Sequence, residues 1–116
     1  MSANTSFEIF EFEVIQKIIE NYPQISKELS AQCKCAKVVC RELTGVGFYT
    51  TFEVTDKSLR LSDPSYTTLG GVKASFKNLD SPVGFVLFLT DGLIELLEGF
   101  TFGETWSSEI TTYTLE

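Results

Sequence analysis

The sequence predicts an α+β domain in which one or two N-terminal helices pack against an antiparallel sheet of five or six strands. Three observations support this fold. Apolar residues recur at helical spacing in the first part of the chain, the period changes to two from about residue 35, and Asp91-Gly92 separates two apolar runs. A chain of 116 residues has the usual size of one domain, so we expect a single domain over residues 1–116.

The first predicted helix begins after Thr5 and Glu8, which have the spacing of a capping box. The apolar residues behind it recur at steps of three and four on one helical face: Phe7, Phe10, Val14, Ile18 and Tyr22. A strand is the alternative, because residues 10–14 alternate between apolar side chains and acids, but the alternation fails from Ile15 onward. The residue before Pro23 avoids the α region, so the helix should end there.

Pro23 is suited to the first position of a second helix. We expect that helix to continue to about Gln32, with Asn21 or Tyr22 near its cap and with Ile25 and Leu29 facing inward.

The strands are predicted from period-two patterns rich in β-branched and aromatic residues. Residues 36–43 and 46–54 should form two strands joined by a tight turn or bulge at Gly45, and residues 56–66 should form a loop with at most a short strand. Residues 72–77 alternate between apolar and polar side chains and should form another strand. Residues 80–82 should form a turn, and residues 110–115 alternate and can form the strand that closes the sheet.

The clearest hairpin joins residues 83–90 to residues 93–99 through Asp91-Gly92, because Asp-Gly favours a two-residue turn of the primed type. Residues 93–98 could instead form a helical turn. Their short length and the flanking glycines favour a strand.

Charge is distributed unevenly along the chain. Residues 1–32, 33–78 and 79–116 carry formal charges of −3, +3 and −7, and the last segment contains seven acids but no Lys, Arg or His. Such a segment repels nucleic acid and attracts a basic partner over long range. No apolar run approaches the roughly 20 residues needed to span a bilayer, and no basic start precedes an apolar stretch, so we expect a soluble cytoplasmic protein.

The three cysteines, Cys33, Cys35 and Cys40, are an odd number within eight positions, which is unlike a disulfide scaffold. A closed tetrahedral metal site would need a fourth ligand, and the chain has no His to supply one. We therefore expect one or two buried thiols and one exposed thiol, with no metal and no cofactor.

Catalysis has little support in the sequence. Without His the commonest general base is missing, and Glu95 and Glu98 would point to opposite faces of a strand. The glycines at 45, 47, 70 and 71 do not have phosphate-loop spacing, and the bases of the middle segment are interspersed as on an ordinary solvated surface. We expect a protein that is not an enzyme and does not bind nucleic acid.

Residues 98–106 are the most distinctive stretch, with two Phe, two Gly and the single Trp between acids. Its aromatic side chains could fold back onto the core, or the loop could contact a partner, because a rigid aromatic beside acids often anchors a basic protein. The two interpretations are compatible. Phe100 would then anchor the loop while Glu98, Glu104 and Trp106 face outward.

Three segments resemble a family of small bacterial proteins: RELTGVGFYTTF at residues 41–52, GFVLF with Asp91-Gly92 at residues 84–92, and residues 97–106. In that family a proline commonly follows the tryptophan, whereas this chain has Ser107. Some proteins of similar size and acidity are immunity partners of contact-dependent growth inhibition and related polymorphic toxins.

The resemblance implies an immunity protein that binds a basic toxin domain, a nuclease, and occludes its active site with acidic side chains. The residues expected to contact the toxin are Asp91, Glu95, Glu98, Glu104 and Trp106. The alternative is a non-enzymatic binding module or homodimer that associates through a sheet edge and the aromatic loop.

Overall fold

The computed structural model describes residues 7–106 and 112–116, which form two helices on one face of a seven-stranded antiparallel sheet. Helix α1 spans Phe7–Glu20 and helix α2 spans Ser26–Cys35. Within the described chain, neither helix has the length and apolar character needed to cross a bilayer. The α+β fold predicted from the sequence is confirmed.

The seven strands follow the helices along the chain. They are β1 (Ala36–Leu43), β2 (Gly47–Val54), β3 (Thr68–Leu69), β4 (Lys73–Phe76), β5 (Val83–Thr90), β6 (Leu93–Phe100) and β7 (Tyr113–Leu115). The sheet order is β1-β2-β6-β5-β4-β7, and β3 pairs with β5 beyond the end of β4. Strand β1 is therefore an outer strand, and the hairpin strands β5 and β6 occupy the centre.

Three details differ from the sequence-based expectation. Helix α2 begins at Ser26, after a turn through residues 23–25, and it continues to Cys35 instead of Gln32. The two-residue strand β3 was not predicted and brings the sheet to seven strands. The predicted cap Thr5 and the first residues of the predicted strand 110–115 lie outside the described residues.

The core lies between the helices and one face of the sheet. Helix α1 contributes Phe10, Val14 and Ile18 to it, and Ile25 and Leu29 are buried at the second helix, as predicted. The sheet contributes alternate residues of its central strands: Phe48, Val54, Phe85, Leu87, Leu89, Ile94 and Leu97. Because side chains of a strand alternate between faces, the residues between these core positions point away from the helices.

Two buried polar side chains fix the helices to the sheet. Gln32 is 0% exposed; its Nε2 donates to the backbone oxygens of Leu59 (3.0 Å) and Gly92 (2.8 Å), and its Oε1 accepts from the Ile94 amide (2.8 Å). Glu11 is 2% exposed and accepts two hydrogen bonds from Arg41. Both groups are satisfied, as buried polar groups must be if they are not to destabilise the fold.

The β5–β6 turn has the geometry that its sequence predicts. Asp91 and Gly92 have φ values of 55° and 75°, which is the pair of left-handed residues that a type I′ turn requires. A Cβ at Gly92 would lie 2.7 Å from the backbone oxygen of Leu61, so this position also needs glycine for lack of space.

Candidate partner-binding surface

The face of the sheet opposite the helices carries the candidate surface, which we call the open face. Cross-strand register defines it, because residues directly opposite each other in antiparallel strands share a face. Tyr49 is paired with Glu42 on β1 and with Glu98 on β6, and Glu98 is paired with Val86 on β5. All four are exposed or half-buried, whereas their neighbours Phe48, Leu87 and Leu97 are buried against the helices.

The open face is partly apolar. Val86, Phe88, Leu96 and Phe100 are half-buried and form neighbouring rows on β5 and β6. The Phe100 ring lies over Gly84, where a Cβ would be 2.5 Å from the ring, and Phe102 packs edge-on against Phe100 at 5.8 Å between ring centroids. Phe102 is 63% exposed. No described helix covers these side chains.

Tyr49 and Glu98 form the polar centre of the open face. The two residues lie directly opposite each other, and the nearby carboxylates, first Glu98 and then Glu42, raise the pKa of Tyr49. A carboxylate raises the pKa of a phenol because it disfavours a second negative charge beside it. The surface therefore presents an uncharged phenol between two acids.

Two further acids lie where β2 and β6 separate. Glu53 lies on the open side of β2, two residues after Thr51. Glu95 is the extra residue of a bulge in β6, because the pairing with β5 shifts there. Thr90 donates its hydroxyl to Glu95. A groove of about 430 Å³ runs between these strands, and its lining includes Glu53, Asp91 and Glu95.

Of the predicted contact residues, Asp91 is the one that the structure pairs with a base. It forms an ion pair with Arg60, and both side chains are exposed. Within residues 7–106 and 112–116, the carboxylates of Glu42, Glu53, Glu95 and Glu98 form no ion pair. The predicted negative charge of the C-terminal segment is therefore compensated by the middle segment at one position and left uncompensated at Glu95 and Glu98.

Glu104 serves the local structure. Its two carboxylate oxygens accept from the backbone amides of Asp80 and Ser81, each at 2.9 Å, so the side chain fixes the loop after β6 to the turn before β5. It is separated along β6 from Asp91 and Glu95, which lie at the other end of that strand. The five predicted residues therefore do not form one cluster.

The predicted outward orientation of Trp106 is wrong. Its indole is 7% exposed and packs against Phe48 (5.3 Å between centroids) and Phe76 (5.6 Å). The Trp106 amide donates to the Gly45 oxygen at 2.7 Å, and the Thr101 amide donates to the Val46 oxygen at 2.8 Å. These bonds fold the loop back onto the β1–β2 turn. The most exposed aromatic of this loop is Phe102, which the sequence-based set omitted.

The cysteines provide no metal site in the described chain, where no group of three or more Cys, Asp and Glu is placed to hold an ion. Cys40 is exposed, and Cys33 and Cys35 are half-buried. Burial, and then the neighbouring Cys35, raises the pKa of the Cys33 thiol to about 11. A protonated thiol is a poor nucleophile and a poor ligand.

Residues from β1 and β2 were missing from the predicted surface. Glu42, Tyr49 and Glu53 belong to it because the long-range pairing of β2 with β6 brings them beside Glu98. The sequence pattern predicts that apolar and polar side chains alternate along β1 and β2, but it does not predict which strand lies next to β6.

Comparisons with protein-family models, curated proteins and solved structures found no match to this chain. The resemblance to immunity proteins therefore stays a prediction from the sequence.

Proposed function

We propose that this chain is an immunity protein that binds a basic toxin domain through the open face of its sheet. The observation that supports this function best is the row of Tyr49 and Glu98 across β2 and β6, with the unpaired carboxylate of Glu95 beyond it. The proposed partner is a nuclease, and the inhibitor acts by occupying its active-site cleft.

Electrostatics supports a basic partner. Nuclease clefts are positive because they bind phosphate backbones. The chain has a formal net charge of −7, and the acids of the open face are not neutralised by ion pairs within the described residues. Complementary charge speeds the encounter of two proteins and fixes their register, but it contributes less to the lifetime of the complex.

The apolar side chains beside the acids supply what a lasting complex needs. Phe100 and Phe102 stand at one end of the open face, and Leu96 and Phe88 continue the apolar surface along the central strands. Interface energy is concentrated in a few aromatic and apolar contacts that exclude water, and dissociation slows when they are buried. In this proposal Glu95 and Glu98 steer the toxin, whereas the Phe100–Phe102 pair retains it.

The test uses the polypeptide encoded directly upstream of this gene as the probe. We expect isothermal titration calorimetry to show binding that weakens as salt rises, because ions screen exposed charges. The double reversal E95K/E98K should raise the dissociation constant at least tenfold and flatten its dependence on salt.

The matched control is E20K/E28K, which makes the same change in net charge at exposed positions of the helices. It should leave the dissociation constant within about threefold of the native value, because long-range charge alone has a modest effect when the contact surface is unchanged. An equal loss in both variants, or native affinity in E95K/E98K, would remove the open face as the interface. Absence of any complex with the upstream polypeptide would contradict the proposed function itself.

A further inference from the structure

The outer edge of β1 concentrates exposed apolar side chains. Of the eight large apolar residues that are most exposed in the described chain, three lie on this strand: Val38, Val39 and Leu43. Phe12 of α1 lines a groove of about 360 Å³ together with Val38. Ile9 lies three residues before Phe12, on the same side of α1. An exposed and partly apolar outer strand is a ready template for pairing with another chain.

A bulge changes which residues of β1 share a face. The pairing with β2 shifts between Val38 and Cys40, so Val39 is an extra residue. In a regular strand, residues five apart point to opposite faces. Here Lys37 lies opposite Glu53 and Glu42 lies opposite Tyr49, so both Lys37 and Glu42 are on the open face.

This arrangement makes the strand complementary to itself. Lys37 and Glu42 stand at equal distances from the midpoint between residues 39 and 40. If two copies of β1 run antiparallel about that midpoint, each lysine faces the other copy's glutamate. The bulge is what allows this register, because without it the two side chains would lie on opposite faces of the joined sheet.

We propose that the protein forms a twofold homodimer in which β1 pairs with β1 of a second copy, joining two seven-stranded sheets into one. Lys37 faces the partner's Glu42, Val38 faces the partner's Arg41, and Ala36 faces the partner's Leu43. The twofold axis is perpendicular to the sheet, so both helix layers lie on the same side and the open faces lie together on the other.

The same features disfavour other occupants of the edge. A lysine and a bulge on an outer strand are devices that prevent pairing with unrelated strands. A second copy of β1 offers a glutamate opposite Lys37 and a lysine opposite Glu42, since a twofold interface is self-complementary. The pairing also gives partners to the outward amides and carbonyls of β1 without covering the open face. It engages Glu42 but leaves Tyr49, Glu95 and Glu98 uncovered, so it does not depend on the proposed toxin-binding function.

A charge swap tests the register. Sedimentation velocity of the full chain over a range of concentrations should show a monomer–dimer equilibrium. In K37E, the new glutamate of each copy faces the other copy's Glu42. In E42K, the new lysine of each copy faces the other copy's Lys37. Each should raise the dimer dissociation constant about tenfold or more, because like charges directly opposite in a sheet are destabilising. The double swap K37E/E42K should restore it to within about threefold of native.

General charge effects predict a different pattern. E42K reduces the net negative charge of each copy, so repulsion between whole molecules would make its dimer tighter than native. A native protein that stays monomeric at high micromolar concentration overturns the proposal. So does a double swap that remains as weak as the single variants while circular dichroism shows the fold intact.

Cysteine cross-linking gives a second readout. In this register Cys40 lies diagonally across the axis from the partner's Cys40. Strand spacing and rise place the two Cα atoms about 6 Å apart, within disulfide range. Diamide should oxidise the two thiols to a disulfide-linked dimer, which should be lost in C40S and reduced in K37E. Cross-linking that is unaffected by K37E would overturn the proposed register.

Discussion

The two faces of the sheet are built from alternate residues of the same strands, yet they have different roles. On β6, Leu97 is fully buried beneath the helices, whereas its neighbour Glu98 is half-buried on the open face beside Tyr49. On the covered face the buried side chains of Glu11 and Gln32 have hydrogen-bond partners, whereas the indole Nε1 of Trp106 is buried without one among the described residues. The open face combines acids that form no ion pair within the described residues with half-exposed aromatics.

This difference separates the determinants of stability from those of recognition. Burial of apolar area is the largest favourable term in folding, so substitutions on the covered face should change the free energy of unfolding. Substitutions on the open face should change partner binding or local pKa values and lower the free energy of unfolding by less.

The largest expected effect is on the covered face of β6. Leu97→Ala should lower the free energy of unfolding by about 3 kcal/mol, because it removes a fully buried side chain and leaves a cavity. Leu96→Ala, on the adjacent open-face position, is the matched control and should cost about 1 kcal/mol. Urea unfolding followed by circular dichroism measures both. Equal losses would show that the open face is as well packed as the core.

The buried Glu11–Arg41 pair should produce the next largest effect. Arg41→Met leaves the Glu11 carboxylate with the Thr50 hydroxyl and without its cation, and a buried carboxylate that loses its cation destabilises the fold. Since Arg41 is partly exposed, we expect a loss of about 2 kcal/mol, below the range for fully buried pairs.

The double variant E11Q/R41M removes the buried charge as well and keeps an oxygen for Thr50. It should unfold at a higher urea concentration than R41M alone. If it were no more stable than R41M, the loss in both variants would come from the missing packing of the Arg41 side chain over Phe7, 4.6 Å from the ring centroid, and not from the unpaired charge.

The Cys33 thiol should make stability depend on pH in the alkaline range. Its pKa is raised from 9.0 to about 11 in the folded chain, so the unfolded chain releases the proton first as pH rises. The associated stability is fully present below pH 9 and is lost between pH 9 and 11, amounting to roughly 3 kcal/mol. Urea unfolding across this range should show a smaller decline for C33A than for the native protein. C40A, which removes an exposed thiol, should keep the native decline.

The smallest effect on stability should come from the open face at Tyr49. Glu98→Gln removes the carboxylate that contributes most to the raised pKa of Tyr49, so that pKa should fall toward its ordinary value of about 10. Absorbance at 295 nm during alkaline titration follows the phenol, and the Y49F variant identifies its share of the signal. An unchanged titration would mean that Glu98 does not lie beside the phenol in solution.

Local patterns predicted much of the fold. The steps of three and four in residues 7–22 predicted α1 and its buried face, and Asp91-Gly92 predicted the central hairpin and its turn. Both depend on interactions between residues near each other in sequence. The predicted start of α2 was wrong because Pro23 is as compatible with a turn as with the first position of a helix, and residues 23–25 form a turn before the helix begins at Ser26.

The candidate surface was less predictable. Glu95 and Glu98 were expected to point to opposite faces, but the bulge at Glu95 changes the alternation of β6. Glu104 accepts hydrogen bonds from the amides of residues 80 and 81. The Trp106 amide donates to the Gly45 oxygen, and the indole packs against Phe48 in the core. These contacts join residues far apart in the chain, and no local pattern encodes them.

The sequence by itself determined the α+β class, the periodicity of each main element and the negative charge of the C-terminal segment, since these follow from composition and spacing alone. Tertiary structure decided which acids remain unpaired, which aromatics are exposed, and which strand lies at the edge. The physical reason is that exposure and ion pairing depend on strand order and bulge position, which arise from long-range packing of the whole chain.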